Sequence, residues 1–270
     1  MIAPPRVVAT DLDGTVYRSD GTMSVRTRRA LARVEKAGAV VVFVTGRPPR
    51  WLSAVAEETG HRGLAIAANG AYVVDLHTGR IAEEHLLEVA AARELVTRLR
   101  AAIPGLRFAV ERGSGFGHEP GYRPRWPVPE DTVVAEVEAL LAEPVAKLLA
   151  RHDALSADEL LSRARAAGGG ELATMTHSSR DGLLEVAAAG VSKASALARL
   201  VAARGFGPAD VVAFGDMPND LPMLAWAGTA YAVANAHPEV LAAVTRHAGG
   251  NDDDGVAEIL EALYGEESQR

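Results

Sequence analysis

The sequence predicts an α/β fold, a doubly wound and mostly parallel sheet interrupted by an inserted α+β unit. Three observations predict it. Near both ends, short apolar runs that stop at polar or acidic residues alternate with stretches of helical length. Such runs suit strands buried on both faces of a parallel sheet and joined by crossover helices. From about Leu86 to Ser179 the texture changes, with a Gly- and Pro-rich loop and a different order of helix and strand patterns. The length, 270 residues, suits two such units.

Taken in order, Val7–Asp11 is an apolar run ending in a carboxylate. Ser24 can cap a helix that runs to about Lys36 and stops at Gly38. Ala39–Val44 is continuously apolar and largely β-branched, a buried strand. Pro48 and Pro49 open the next helix and Gly60 ends it. Leu64–Ala68 reads as another buried strand, and Ala71–Asp75 with Ile81–Glu84 as a hairpin around His77–Gly79. In the insert, the patterns predict a helix at Val89–Ala101, a strand at Leu106–Glu111 and an irregular loop at Gly113–Trp126. A helix (Thr132–Ala142), a strand (Val145–Leu149), a helix (Ser156–Ala167) and a strand (Leu172–His177) follow. After Leu183–Val186 the first alternation resumes, with a helix at Ser192–Arg204 and a strand at Val211–Phe214. A helix at Leu221–Ala227, a strand at Thr229–Val233 and a helix at Val256–Leu263 complete it. The expected division is 1–84 with 183–270 as one unit and 85–182 as the insert.

Composition removes several function classes. The cysteine count is 0, so disulfides, thiolate metal sites and cysteine nucleophiles are absent. The net charge is −7 and no Lys/Arg block marks a nucleic-acid face, so no nucleic-acid partner is expected. No apolar stretch approaches the ~20 residues of a membrane helix, and Met1–Arg6 lacks the pattern of a secretory signal. The expectation is a cytoplasmic protein with no membrane partner, its disorder confined to ends such as Gly265–Arg270.

Four motifs carry chemistry. Asp11-x-Asp13-Gly14-Thr15 stands at the carboxyl end of the first strand, where ligands bind in open α/β sheets. Two carboxylates so close repel each other unless a cation or shared proton relieves them; the alternative is an Asx-type turn. Thr45-Gly46-Arg47 ends the second strand with a hydroxyl and a backbone N–H suited to phosphate oxygens, or as an ordinary polar terminus. Lys193 follows the expected cap Ser192 in the first helical turn, where a cation opposes the helix dipole unless an anion binds there. The alternative is a solvated lysine. Gly215-Asp216-x-x-Asn219-Asp220 offers hard oxygen ligands of the kind that suit Mg²⁺, or a capped helix start. Four polar strand or helix ends on one rim share no bland explanation.

This ordered set resembles the haloacid dehalogenase (HAD) superfamily and, more narrowly, the Cof-type phosphatases. Asn69-Gly70-Ala71, Glu185-Val186 with Gly190 and Ser192-Lys193, Asn235-x-His237-Pro238 and Asp254-Gly255-Val256 resemble further signatures of that branch. The resemblance implies a Rossmann-like core with a large α/β cap, and a Mg²⁺-dependent phosphatase acting on a small phosphorylated metabolite. It implies Asp11 as nucleophile and Asp13 as acid, then base. Leu12, Thr45, Gly46, Lys193 and Asn219 would hold the phosphoryl group. Mg²⁺ would bind the Asp11 carboxylate, the Asp13 backbone carbonyl and Asp216, with Asp220 behind them. A monomer or small homo-oligomer is expected.

The physics fits that assignment, because a phosphate dianion approaching Asp11 meets like charge. Mg²⁺ and Lys193 supply roughly +3 to offset it. Rival readings are a sugar phosphomutase and a non-catalytic regulatory protein of the same fold; the second requires a damaged motif set, and every motif residue is present. Gly113–Gly117 misses a dinucleotide fingerprint because His118 replaces the third glycine. Asn251–Gly255 lacks EF-hand spacing and reads as a polar turn, and the eight histidines show no metal-ligand spacing. The loop Phe116–Trp126 reads either as a substrate-recognition segment, through Arg123 and Arg125, or as a packed cap loop.

Overall fold

The computed structural model describes residues 4–113 and 115–265. The first unit begins with β1 (Val7–Thr10), α1 (Val25–Lys36), β2 (Val40–Val44), α2 (Leu52–Thr59), β3 (Leu64–Ala67), β4 (Tyr72–Asp75) and β5 (Arg80–Glu84). Ser24 caps α1 by accepting from the Thr27 amide, as its position suggests. Val7, Val8, Ala9 and Thr10 are all fully buried, so β1 is a central strand with neighbours on every side.

The second unit contains α3 (Val89–Ala102), β6 (Arg107–Glu111), β7 (Phe116–His118), β8 (Val133–Val134), α4 (Val137–Leu140), β9 (Lys147–Arg151), α5 (Ala157–Ala166), β10 (Ala173–Thr176) and β11 (Leu183–Ala188). The chain then returns through α6 (Lys193–Ala202), β12 (Val211–Gly215), α7 (Leu221–Trp226), β13 (Thr229–Val233), α8 (Pro238–Ala243), β14 (His247–Ala248) and α9 (Gly255–Tyr264).

The first sheet has the order β14-β13-β12-β1-β2-β3-β4-β5. It is parallel from β14 to β3 and antiparallel from β3 to β5. The order reverses at β1, which makes its carboxyl end a topological switch point. The second sheet, β10-β11-β9-β6-β7-β8, is antiparallel except between β7 and β8. One face packs Phe108, Val110, Leu148, Ala150, Leu184 and Val186 against the apolar sides of α3 and α5. Strand alternation turns Ala109, Glu111, Lys147, Leu149 and Glu185 to the other face. There Phe116 and Tyr122 cover Ala109 and Leu149, while the three charged residues are buried toward the first unit.

The doubly wound core and the insert agree with the expected fold, and several elements differ. Leu183–Ala188 pairs with β9 and β10 in the second sheet, so the first unit resumes after 188 and not at 183. A short apolar run carries the same composition in either sheet. The helix expected over Thr132–Ala142 is β8 followed by the single turn α4; β-branched Thr132, Val133 and Val134 favour an edge strand over a first helical turn. The loop expected over Gly113–Trp126 contains β7, whose Gly117 hides the pattern. A Cβ at Gly117 would lie 2.8 Å from Leu140 Cδ2, so any larger residue would have to displace that side chain. Strand β9 runs from Lys147 to Arg151, two residues later than expected, because Val145 pairs with Leu87 in an isolated bridge outside the strand. Strand β14 and helix α8 have two and six residues, too few for a periodic signal. The expected disordered tail lies, beyond Gly265, outside the described residues. Among the described residues no helix is long and apolar enough to cross a membrane.

Candidate active site

Asp11, Thr45 and Asp216 are each the first residue beyond a strand: β1, β2 and β12 respectively. Those strands are neighbours, so the three side chains gather at the switch point. The Asp11 amide donates to Phe214 O at 3.0 Å and the Thr45 amide to Ile66 O at 2.8 Å. Parallel-sheet hydrogen bonding therefore carries straight into the site and fixes the backbone that bears it.

Lys193 opens α6, whose start is pinned by a reciprocal pair. Ser192 Oγ accepts from the Ser195 amide, and Ser195 Oγ from the Ser192 amide. This aims Lys193 Nζ, fully buried, at Asp11 Oδ1 (2.5 Å) and Asp220 Oδ1 (2.6 Å). The second oxygen of Asp220 accepts from the Asp216 and Met217 amides, both at 3.0 Å, so Asp220 braces the Asp216 loop and the lysine together. Thr15 Oγ1 donates to Asp216 Oδ1 at 3.0 Å. Gly14 is required: at φ +80° a Cβ would sit 2.5 Å from Asp216 Oδ2.

Asp11, Asp216 and Asp220 each offer a carboxylate oxygen within 4.8 Å of the others, and all three are buried. Asp13 stands apart. Its carboxylate is mostly exposed and is gripped by Arg47 through two bonds of 2.6 and 2.8 Å. The Arg47 guanidinium also lies 4.5 Å over the Tyr17 ring. Only the backbone of Leu12 can face a ligand, since its side chain is fully buried. Thr45 Oγ1 accepts from the Arg47 amide at 3.0 Å, and Gly46 O accepts from Lys147 Nζ at 2.9 Å. Asn219 is buried beside Asp220, with Nδ2 donating to Asn69 Oδ1 at 3.0 Å.

Charge in this site is unbalanced, with one ammonium among three buried carboxylates. Burial pushes the Asp11 carboxyl up to about 7; the charges of Asp220 and Asp13 add to that, and Lys193 opposes it. Burial, then the charges of Asp11 and Asp220, hold Asp216 well above the usual carboxylate range. Burial works against the charge on Lys193, but Asp11 and Asp220 outweigh it and hold the ammonium above its ordinary value. A cluster of hard oxygen donors that lacks about two positive charges fits a divalent cation.

A model of the haloacid dehalogenase-like hydrolase family matches residues 8–260. The chain belongs to this family. Among its relatives, the hydrolase is 32% identical to pyridoxal phosphate phosphatase YbhA of Escherichia coli (strain K12), with 94% of this chain and 97% of that one covered. It is also 32% identical to a phosphoglycolate phosphatase of Halorubrum lacusprofundi, covering 97% of this chain and 98% of that one. Its fold is that of the HAD phosphatase BT1666 from Bacteroides thetaiotaomicron, with a TM-score of 0.80 at 22% identity, over 96% of this chain and 95% of that one.

The structure gathers the expected site residues of the hydrolase at one rim, with the Asp13 carboxylate turned aside, and adds others. Arg47, expected only as part of a motif, holds Asp13. Asn235 Nδ2 donates to Gly14 O at 2.8 Å, and buried Asn251 donates to Tyr17 O at 2.9 Å, so both brace the Asp11–Tyr17 loop. Asn251 thus belongs to a structural turn, as its spacing suggests. Asp254 pairs with Arg18 at 2.8 Å. Lys147, Glu111 and Glu185 of the second sheet reach the first unit through Gly46, Arg50 and Asn69. Lys147 and Glu111 carry no sequence signal and Glu185 only its place in a motif, because tertiary docking alone puts them there. The loop's end from Arg123 to Trp126 is exposed and not packed, with Trp126 edge-on to Trp51 at 6.2 Å and Arg125 paired with Asp181 at 2.7 Å.

Proposed function

We propose that this hydrolase is a Mg²⁺-dependent phosphatase that cleaves a small phosphorylated metabolite through an aspartyl-phosphate on Asp11. The observation that carries this reading is the Asp11 carboxylate, held by Lys193 at 2.5 Å inside the cluster with Asp216 and Asp220. Asp11 forms a bond to phosphorus as the bond to the leaving oxygen breaks, and Asp13 gives that oxygen a proton. A water then attacks phosphorus, Asp13 takes its proton, and the Asp11–phosphorus bond breaks to release phosphate. Asp13 must leave Arg47 to meet the leaving group, which makes Arg47 its resting partner between steps. Lys193, the Thr45 hydroxyl, the backbone N–H groups of Leu12 and Gly46 and the Asn219 amide neutralise and orient the phosphoryl oxygens. Asp11, the Asp13 carbonyl and Asp216 would hold Mg²⁺, which would supply Lewis-acid charge that lets two anions meet.

The relatives named for pyridoxal phosphate and phosphoglycolate support a small phosphate monoester as substrate. The second unit acts as the cap that selects it, from a monomer or small homo-oligomer in the cytoplasm. The test is free-phosphate release from a panel of sugar phosphates, pyridoxal phosphate, phosphoglycolate and flavin-precursor phosphates, with Mg²⁺ and with chelator. Chelator-sensitive release from at least one is expected. No release from any, or transfer that needs a bisphosphorylated activator, overturns the reading.

Metal and pH are linked. A carboxyl whose folded pKa is raised contributes stability below its unfolded value of 3.8 that is lost as pH climbs through about 7. Mg²⁺ competes with those protons. The Mg²⁺-induced rise in Tm therefore grows between pH ~5 and pH ~8, and Asp216→Asn flattens that growth. Thermal melts with and without Mg²⁺ across this range check it; a pH-independent shift contradicts it.

A further inference from the structure

A buried chain of hydrogen bonds joins the second sheet to the phosphate side of the site, and the proposed mechanism uses only its Gly46 and Asn219 ends. Lys147 Nζ donates to Gly46 O and to Glu185 Oε1, both at 2.9 Å. Glu185 Oε2 accepts from Asn69 Nδ2 at 2.8 Å. Asn69 Oδ1 accepts from Asn219 Nδ2 at 3.0 Å. Asn219 Oδ1 is buried with no partner. Lys147, Glu185, Asn69 and Asn219 are each no more than 5% exposed, so water does not satisfy them in passing. Lys147 and Glu185 lie on β9 and β11, whereas Gly46, Asn69 and Asn219 lie in the first unit. The chain of bonds exists only while the two units are docked.

The backbone around Asn69 is built for this contact. Ala68, Asn69 and Gly70 take φ of +49°, +58° and +106° in succession, a costly run for non-glycine residues. Asn tolerates it better than most. A Cβ at Gly70 would lie 2.3 Å from Ser192 O, so the turn sits directly on the start of the helix that carries Lys193. A Cβ at Gly46 would lie 3.1 Å from Asn69 Oδ1, so the phosphate-binding glycine lies against the same amide.

Donor and acceptor roles in the chain follow from its charged end. Lys147 has only protons to give, so it takes one oxygen of Glu185. The other oxygen can only accept, so Asn69 turns its NH₂ toward Glu185 and its oxygen toward Asn219. Asn219 must then turn its NH₂ toward Asn69. One N–H of Asn219 remains for a phosphoryl oxygen, and its unpaired Oδ1 remains for a donor that arrives with the substrate. We propose that Glu185 and Asn69 are positioning residues that set the polarity of the Asn219 amide, and that they do so only when the cap is closed. The proposal rests on the phosphatase reading and extends it, by tying phosphoryl binding to cap docking.

The relay makes an uncommon prediction about amide swaps. In Glu185→Gln the single oxygen goes to Lys147, and the new NH₂ faces Asn69. Asn69 must flip, and Asn219 with it. Asn69→Asp alone sets two carboxylates against each other. Glu185→Gln with Asn69→Asp restores the sequence of donors and acceptors: the introduced amide gives to the introduced carboxylate, whose other oxygen accepts from Asn219. The test uses the full chain with Mg²⁺, p-nitrophenyl phosphate as substrate, inorganic phosphate as inhibitor, and a thermal melt of each variant. Each single variant is expected to lower kcat/KM and weaken phosphate inhibition by ~10- to 100-fold. The double variant is expected to recover both to within about fivefold of the wild type. A merely structural role would move Tm but would not restore phosphate inhibition in the double variant. Wild-type kcat/KM and phosphate inhibition in Glu185→Gln overturn the relay, as does a double variant no better than the poorer single. If Asn69→Asp alone does not fold, the Glu185→Gln and double variants still decide. A wild type that releases no phosphate from any ester overturns the phosphatase reading instead, and the relay falls with it.

Discussion

Asp11→Asn lowers phosphate release by at least ~10³-fold while the fold is retained. The substitution keeps the shape of the side chain and removes the oxygen nucleophile. It also removes one of three carboxylates that crowd a buried site around one ammonium. Burial already pushes the Asp11 carboxyl up to about 7, so its ionised form is a burden on the metal-free protein above that pH. Asn carries no such burden. The variant is therefore expected to melt at or above the wild-type temperature at pH ~8 without Mg²⁺. Free-phosphate assays and circular-dichroism melts check both parts. Sizeable Mg²⁺-dependent turnover in the folded variant contradicts the nucleophile assignment.

Lys193→Met is expected to remove activity to a similar degree, with the opposite effect on stability. Lys193 Nζ is the donor that satisfies Asp11 and Asp220 at 2.5 and 2.6 Å. Methionine fills much of the volume and leaves three buried carboxylates with no cation. Breaking a buried ion pair from one side costs ~3–5 kcal/mol, because the remaining charge is left uncompensated. The loss is expected to be largest above pH ~7, where Asp11 is ionised, and to shrink toward pH ~5 as Asp11 takes up a proton. Mg²⁺ should restore part of the stability and none of the missing contact to the phosphoryl group. Chemical denaturation at the two pH values, with and without Mg²⁺, separates these effects. Equal stability loss at both pH values contradicts the charge argument.

Much of the site is legible in the sequence because its signals are local. Asp11, Thr45 and Asp216 announce themselves as polar residues that end apolar runs, and each does stand one residue beyond its strand. Lys193 is placed by its cap Ser192, and the cap is made. The less legible residues act across the fold. Glu185 and Lys147 sit in strands whose neighbours are apolar, and only docking of the second sheet turns them into partners of Asn69 and Gly46. Asn69 belongs to a recognisable motif, but its left-handed backbone at φ +58° has no signature beyond the glycine that follows. Asp13 is expected to offer its backbone carbonyl to the metal and its carboxylate as acid and base; that the carboxylate rests on Arg47 has no local signal, because the contact is set by how β1 and β2 end side by side. The fold departs from expectation where elements are short. Strand β8 and helix α4 share a span that periodicity alone reads as one helix, since Val137, Leu140 and Leu141 are buried at helical spacing.

Asp11 is expected to become phosphorylated during turnover. Acid quench of the enzyme during steady turnover of a labelled phosphate ester, followed by peptide mapping, tests it directly. A phosphoryl group is expected on the peptide that contains Asp11, released by hydroxylamine as an acyl phosphate is, and absent from Asp11→Asn. Active enzyme that carries no label under these conditions, or label on any other residue, would contradict it.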